Sequence, residues 1–243
     1  CEVLATRGQL IGAGGITSRH SPDIPAIARS VLSEIGYDPN PYNIQCFIHK
    51  QSTDIAYGID NPLEEREKQE NPSSFRLGAG DQGVMVGYAC DETRQLLPLP
   101  VVLARRLTNR LTAARKSGQL PILRPDGKAQ VTVEYDENGN PARLDTVVLS
   151  AQHDPDVPQD ELFWELTDKV LFPALKLLPP DEDTKLLINP AGRFVVGGPD
   201  ADTGLTGRKL AADSYSVFAP HGGGALSGKD PTEVDRSGAD MAR

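Results

Sequence analysis

The alternation of apolar and polar positions divides the chain into short elements punctuated by glycine and proline. Cys1 to Ala5 reads as the middle of a strand, and Gln9 to Thr17, an apolar run broken by glycines, suits another. From Pro22 to Ile35 the residues Ile24, Ile27, Ala28, Val31, Leu32 and Ile35 recur at helical spacing, with Gly36 as a stop. Ile44 to Ile48 returns to strand character. Val101 to Lys116 is the clearest helix: Val102, Leu103, Leu107, Leu111 and Ala114 form one face, arginines the other, and Gly118 ends it. Gln130 to Tyr135 and Leu144 to Ser150 flank Asn138-Gly139, a hairpin signal. Asp160 to Leu171 predicts a second amphipathic helix with Leu162, Phe163, Leu166 and Val170 inward. Lys185 to Ile188 predicts a short strand, and Asp240 to Arg243 a helix just begun. The elements recur without βαβ regularity, which predicts an α+β fold with mainly antiparallel sheet.

The pattern fails over Asp60 to Arg76, where Glu64, Glu65, Arg66, Glu67, Lys68 and Glu70 crowd together. Such a charged stretch predicts a mobile loop containing a short helix.

Composition narrows the function classes. A chain of 243 residues with 23 glycines and 20 prolines predicts a loop-rich globular fold of one large or several small domains. A net charge of −9 and a pI near 5.0 argue against nucleic acid or an acidic membrane as partner. No apolar run approaches the roughly 20 residues of a membrane span. Cys1, Cys46 and Cys90 form no C-x-x-C pair, which fits a reducing cytoplasm and makes zinc unexpected. Both termini read as cut, so the chain is expected to be incomplete at each end. A leading cysteine also suits a lipid-modified terminus, although no flexible tether follows it.

Candidate chemistry concentrates in His221-Gly222-Gly223-Gly224-Ala225-Leu226-Ser227-Gly228-Lys229-Asp230. Glycines let main-chain N–H groups approach an anion closely, and the lysine adds a full charge. Read alone, the run serves equally as a glycine-rich surface loop or as a polyphosphate cradle. A nucleotide P-loop is disfavoured: Asp230 stands where the Ser/Thr metal ligand belongs, and Ser216 to Pro220 is a poor strand. A lipase oxyanion hole would need a G-x-S-x-G elbow, which the chain lacks.

Four further segments are rich in Gly, Asp, Lys and Arg: Gly78 to Gly83, Leu123 to Lys128, Gly192 to Pro199, and Asp202 to Lys209. Taken with Ser150-Ala151-Gln152-His153 and the glycine run continuing through Val234-Asp235-Arg236-Ser237, they resemble the S-adenosylmethionine synthetase family, in order and over nearly the whole chain. The resemblance implies a pseudo-threefold fold of small, mostly antiparallel sheets backed by helices. It implies a remnant of the N-terminal domain at 1–53, a gating loop at 54–77, a central domain at 78–196 and the start of a C-terminal domain at 197–243. It further implies transfer of the adenosyl group of ATP to methionine sulfur, hydrolysis of the released tripolyphosphate, and active sites between subunits of a homodimer or homotetramer.

Site residues follow from the same resemblance. Arg208, Lys209 and Lys229, with the backbone near Ala225, bind polyphosphate, and Asp81 lies close to the reacting atoms. Asp126, Lys128, Arg193 and Phe194 belong to the ATP site, and Asp202 meets both nucleoside and methionine. Gln51 lines the methionine pocket at the root of the gating loop. Asp235 is expected to hold magnesium, and Glu2 potassium. His153 is read as structural; His221 stays open. The bland alternatives are surface charges at Arg208 and Lys209 and a helix cap at Asp235.

Two departures concern methionine. Gly15 occupies the place of a glutamate that meets the substrate amino group, and Glu233 the place of a lysine near its carboxylate. These predict a different thioether or weaker methionine binding, with a non-catalytic ATP- or polyphosphate-binding subunit as the alternative. The 60–76 segment is also longer than the family's usual loop. The family's His-Pro-Asp-Lys motif is expected upstream of Cys1, and the rest of the third domain beyond Arg243, so the 243-residue polypeptide alone is expected to be inactive or unstable.

Overall fold

A computed structural model describes residues 1–61, 82–229 and 233–243. It is an α+β arrangement built around two sheets, each mixing antiparallel and parallel pairs.

The first sheet contains β1 (Glu2–Thr6), β2 (Gln9–Gly15), β3 (Asn43–His49) and β7 (Gly204–Leu205), in the order β3-β2-β1-β7. Gly8, at φ 67°, closes the tight turn between β1 and β2. Helix α1 (Ile24–Ile35) carries the chain from β2 to its parallel neighbour β3. Asp23 caps its first turn by accepting from the Ala26 amide at 3.0 Å. Gly36, at φ 109°, and the Tyr37 amide close its last turn on the carbonyls of Ser33 and Leu32. The apolar stripe of α1 is only partly used. Leu32 is buried, whereas Ile27, Val31 and Ile35 are exposed, because among the described residues the helix packs chiefly against edge strand β3. A short helix, α2 (Thr53–Asp60), follows, its first turn capped by Ser52.

The second sheet has the order β4 (Leu123–Tyr135), β5 (Pro141–His153), β6 (Lys185–Ile188). Its hairpin is longer than the polar–apolar alternation predicts, and its turn is held by Asp136, whose carboxylate accepts from the amides of Asn138 and Asn140. Those bonds, that to Asn140 foremost, hold the Asp136 carboxyl below its ordinary range. Near its start β4 bulges: Leu123 pairs with His153 but Gly127 with Ala151, so Arg124, Pro125 and Asp126 face a single residue, Gln152.

Helix α3 (Leu99–Lys116) covers this sheet. It begins two residues earlier than expected, capped from a distance by Glu92, which accepts from the Leu99 amide at 2.8 Å and from the Tyr135 hydroxyl at 2.9 Å. Burial, with the Glu92 bond, drives the Tyr135 hydroxyl well above its usual range. Leu103 and Leu107 pack with Leu144, Val147 and Leu149 of β5 and with Leu162, Leu166, Val170 and Leu171, all fully buried.

Those last four lie on helix α4 (Gln159–Leu166), which passes through a π-helical turn at Thr167–Leu171 and ends at Phe172–Ala174. Pro173 explains the register change. It has no N–H to donate to the Lys169 carbonyl four residues back, and Arg110 Nε of α3 takes that carbonyl at 3.0 Å. Beyond β6, Gly198–Asp200 forms a 3-10 turn, followed by helices α5 (Leu210–Asp213) and α6 (Val234–Ala242). Helix α6 starts six residues before the predicted one. Its glycine, Gly238, lets Met85 pack against the helix backbone: an added methyl would lie 2.8 Å from Met85 Cγ. Arg105 Nη2 of α3 ties the end of α5 down through the carbonyls of Asp213 and Ser214.

Among the described residues no helix is long and apolar enough to cross a membrane, and Cys1, Cys46 and Cys90 are free thiols.

Candidate active site

The glycine run folds as a loop laid against the Gly204–Arg208 turn. A methyl added to Gly207, at φ 73°, would lie 3.2 Å from Ala225 Cβ, so glycine is what lets the two segments touch. His221 is engaged within the loop, its Nδ1 accepting from the Gly223 amide at 2.8 Å. Gly222 passes against the backbone of Val84, where any Cβ would overlap the Val84 carbonyl. Lys229 Nζ pairs with the Asp235 carboxylate of α6 over the bare backbone of Gly224. An added methyl at Gly224 would sit 3.1 Å from Asp235 Oδ2 and 3.4 Å from Lys229 Nζ. Asp235 Oδ1 also approaches Gly83, the last residue of the Gly78 to Gly83 segment. Asp235 lies in the first turn of α6; exposed Glu233 is the capping position, and among the described residues it caps through its carbonyl without a side-chain bond.

Arg208 leaves the same turn with Nη1 donating to the Thr203 carbonyl at 2.8 Å, and Lys209 is exposed at the start of α5. The stretch is fastened to β1: Leu205 pairs with Leu4, the Thr206 amide donates to the Val3 carbonyl, and Thr203 Oγ1 bonds Thr6 Oγ1. The start of β1 lies at the other side of the loop. The Cys1 carbonyl approaches Gly228, and the Cys1 Cα covers Gly14. Glu2 is exposed at this end. Beside it, Gly15 faces Gln51 and His49, with nearest atoms 3.6 to 3.8 Å from where a Cβ would stand. Gln51 Oε1 accepts from Thr17 at 3.2 Å.

A second group is carried by the other sheet. The β4 bulge aims Asp126 at Gly198, whose amide donates to Oδ2 at 2.8 Å, while the Asp126 amide donates to Gln152 Oε1. Gly198 in turn offers its carbonyl to the amides of Ala201 and Asp202. Asp202 Oδ1 accepts from the Thr203 amide. Phe194 brackets the buried His153: its amide donates to Nε2 at 3.1 Å and its carbonyl accepts from the His153 amide. With Nε2 accepting, the His153 proton belongs on Nδ1, which donates to the Asp154 carbonyl. His153 is thereby a structural residue. Lys128 and Arg193 are exposed. Asp81 lies outside the described residues.

Two residues had no sequence signal: Tyr37 and Arg105; Gln152 lies in the Ser150 to His153 segment but was given no role of its own. Tyr37 packs on Gly198, and burial, aided by the nearby Asp126 carboxylate, pushes its hydroxyl up to about 12.

Comparison with known proteins names the scaffold. The model of the S-adenosylmethionine synthetase central domain matches residues 76–194, and that of the C-terminal domain matches residues 196–243. The chain is 52% identical over 250 residues to the S-adenosylmethionine synthase of Desulforudis audaxviator, covering all of this chain and 63% of that protein. It is 48% identical over 249 residues to that of Petrotoga mobilis, covering all of this chain and 62% of that protein. The chain thus spans less than two thirds of the length of these relatives, and it belongs to the S-adenosylmethionine synthetase family.

Proposed function

We propose that this polypeptide forms part of an enzyme that makes S-adenosylmethionine from ATP and methionine and then hydrolyses the tripolyphosphate to pyrophosphate and phosphate. The observation that carries the reading is the seating of the glycine loop against the Arg208 turn, with Lys229 and Asp235 together at its base. The methionine sulfur attacks C5′ of ATP: a C–S bond forms, the C5′–O bond breaks, and its electron pair leaves on tripolyphosphate. Sulfur is nucleophilic without a base, so the main task is to stabilise the leaving anion with preorganised cations and dipoles. Arg208, Lys209, Lys229 and the main chain near Ala225 are assigned that task. Asp202 and Gln51 are assigned to methionine, Asp202 also to the nucleoside. Asp126, Lys128, Arg193 and Phe194 are assigned to an ATP site completed across subunits, and Asp81 to the reacting atoms.

The residues fit a magnesium ion of a particular kind. Among the described residues no three His, Cys, Asp or Glu side chains converge. Asp235, ion-paired with Lys229 over the Gly224 backbone, suits an ion that takes one or two carboxylates and completes its shell with phosphate and water. Bound there, it would neutralise charge on the phosphates. Exposed Glu2 is assigned to potassium.

A homodimer or larger homo-oligomer is supported by the first sheet. Leu4, Ile11 and Leu205 share one register row, and Glu2, Ala13 and Phe47 another on the same face. Phe47 and Leu205 are 60% and 48% exposed, which suits a self-complementary interface. The acidic charge and free thiols favour a cytoplasmic protein without nucleic-acid or membrane partners. The test is an assay of the complete polypeptide with ATP, magnesium, potassium and methionine, following S-adenosylmethionine and phosphate. ATP binding without methionine-dependent product would replace this reading with a non-catalytic subunit.

A further inference from the structure

Tyr37 directly follows Gly36, the glycine that ends α1, and its amide is held by the Leu32 carbonyl of that helix. Its phenol rests on Gly198, a residue of another part of the fold. A methyl added to Gly198 would fall 2.0 Å from Tyr37 Oη and 2.8 Å from Cζ, so the contact exists only because position 198 has no side chain. Gly198 stands at φ 60°, with its amide on Asp126 and its carbonyl on the Ala201 and Asp202 amides. Arg7 Nη2 holds the far end of the same turn through the Asp200 carbonyl at 2.7 Å. The neighbouring Gly36 is itself pressed against Arg115 and Pro125, so Tyr37 enters this junction from a braced position.

We propose that Tyr37 is a positioning residue for adenosyl transfer: it is the stop that sets the Gly198 turn and, through it, the location of Asp202. The inference rests on the function proposed above. It also separates the two half-reactions. Residues 203–206 are fastened to β1 by the Leu4–Leu205 pairing, the Val3–Thr206 bonds and the Thr6–Thr203 bond, none of which involves Tyr37. Arg208 hangs from that second anchorage through Thr203. Loosening the first therefore misplaces Asp202 and leaves the tripolyphosphate cations where they are.

The experiment uses the complete polypeptide with Tyr37→Ala and Tyr37→Phe. Adenosyl transfer is measured with ATP and methionine, and hydrolysis separately with added tripolyphosphate. For Tyr37→Ala, kcat/KM for adenosyl transfer is expected to fall about 10- to 100-fold, as a displacement near 1 Å does. Hydrolysis of added tripolyphosphate should stay within about twofold of wild type, and Tyr37→Phe, which keeps the ring, should lie between wild type and Tyr37→Ala in transfer. Equal loss of both half-reactions, or no loss of either, overturns the role. Absence of both reactions from the wild type would instead refute the proposed function.

Discussion

Lys229 meets Asp235 across the backbone of Gly224, where an added methyl would touch Lys229 Nζ and press on Asp235 Oδ2. In Gly224→Ala the new methyl, 3.1 Å from Asp235 Oδ2, shifts that carboxylate by a few tenths of an ångström against Lys229. The expected result is a roughly 10- to 100-fold fall in kcat, with the melting temperature nearly unchanged because the loop adds little to the core. Steady-state kinetics beside a thermal melt checks this; full activity would remove the pair from the catalytic assignment.

Arg208→Ala should lower tripolyphosphate hydrolysis by about 10²–10³-fold, the scale of losing one preorganised charge-stabilising donor. Phosphate release from added tripolyphosphate reads it directly. Wild-type turnover would return Arg208 to the role of a surface charge tied to Thr203.

In Gly15→Glu the new Cβ meets its nearest neighbours, Gln51 and His49, at ordinary contact distance, so a side chain can start there. A carboxylate there should bind the methionine amino group and raise discrimination against thioethers lacking it by roughly tenfold or more. Competition between methionine and its des-amino analogue measures the ratio; an unchanged ratio would detach position 15 from substrate recognition.

Phe47→Asp places a charge on the open face of the first sheet. If that face joins subunits, association should weaken by about 30-fold or more, the scale of a central interface residue. Sedimentation over a concentration series decides it, and an unaltered oligomer would shift the interface elsewhere.

Arg143 holds Asp181 through two parallel bonds of 2.9 and 3.0 Å and also reaches Glu134. Its guanidinium, with help from Thr184, holds the Asp181 carboxyl far below the usual range. A carboxyl lowered on folding contributes stability above its unfolded value, near 4, and loses it as the pH falls further. The melting temperature of wild type should therefore decline below about pH 4, and Asp181→Asn should decline less steeply. Parallel acid titrations of the two proteins test the sign.

The legible parts of the chain were those whose signal is local. Leu103, Leu107 and Leu111 recur on one side of α3 because a whole sheet receives them, and Asn138-Gly139 marks a turn that Asp136 completes. The same periodicity misleads in α1, where Ile27, Val31 and Ile35 repeat as regularly but, among the described residues, it is chiefly one edge strand that lies beneath. The parallel pairings of β3 with β2 and β6 with β5 join distant residues and leave no local trace. At the site, the glycine loop and Arg208 announce themselves by composition. The bulge that aims Asp126 depends on Gln152 and Gly198, far along the chain, and Tyr37 looks like any residue after a helix-ending glycine.

One missing proton on the backbone sets a length standard for the molecule. Because Pro173 leaves the Lys169 carbonyl for Arg110, α3 is bolted to α4 at that depth; five residues away, Arg105 grips the end of α5. The intervening helix spans about 7.5 Å and neither stretches nor slips readily. Helix α3 thus works as a ruler: a shift of α4 along it is felt at Asp213 and Ser214, and the placement of the segment leading to the glycine loop is calibrated by a residue that takes no part in chemistry.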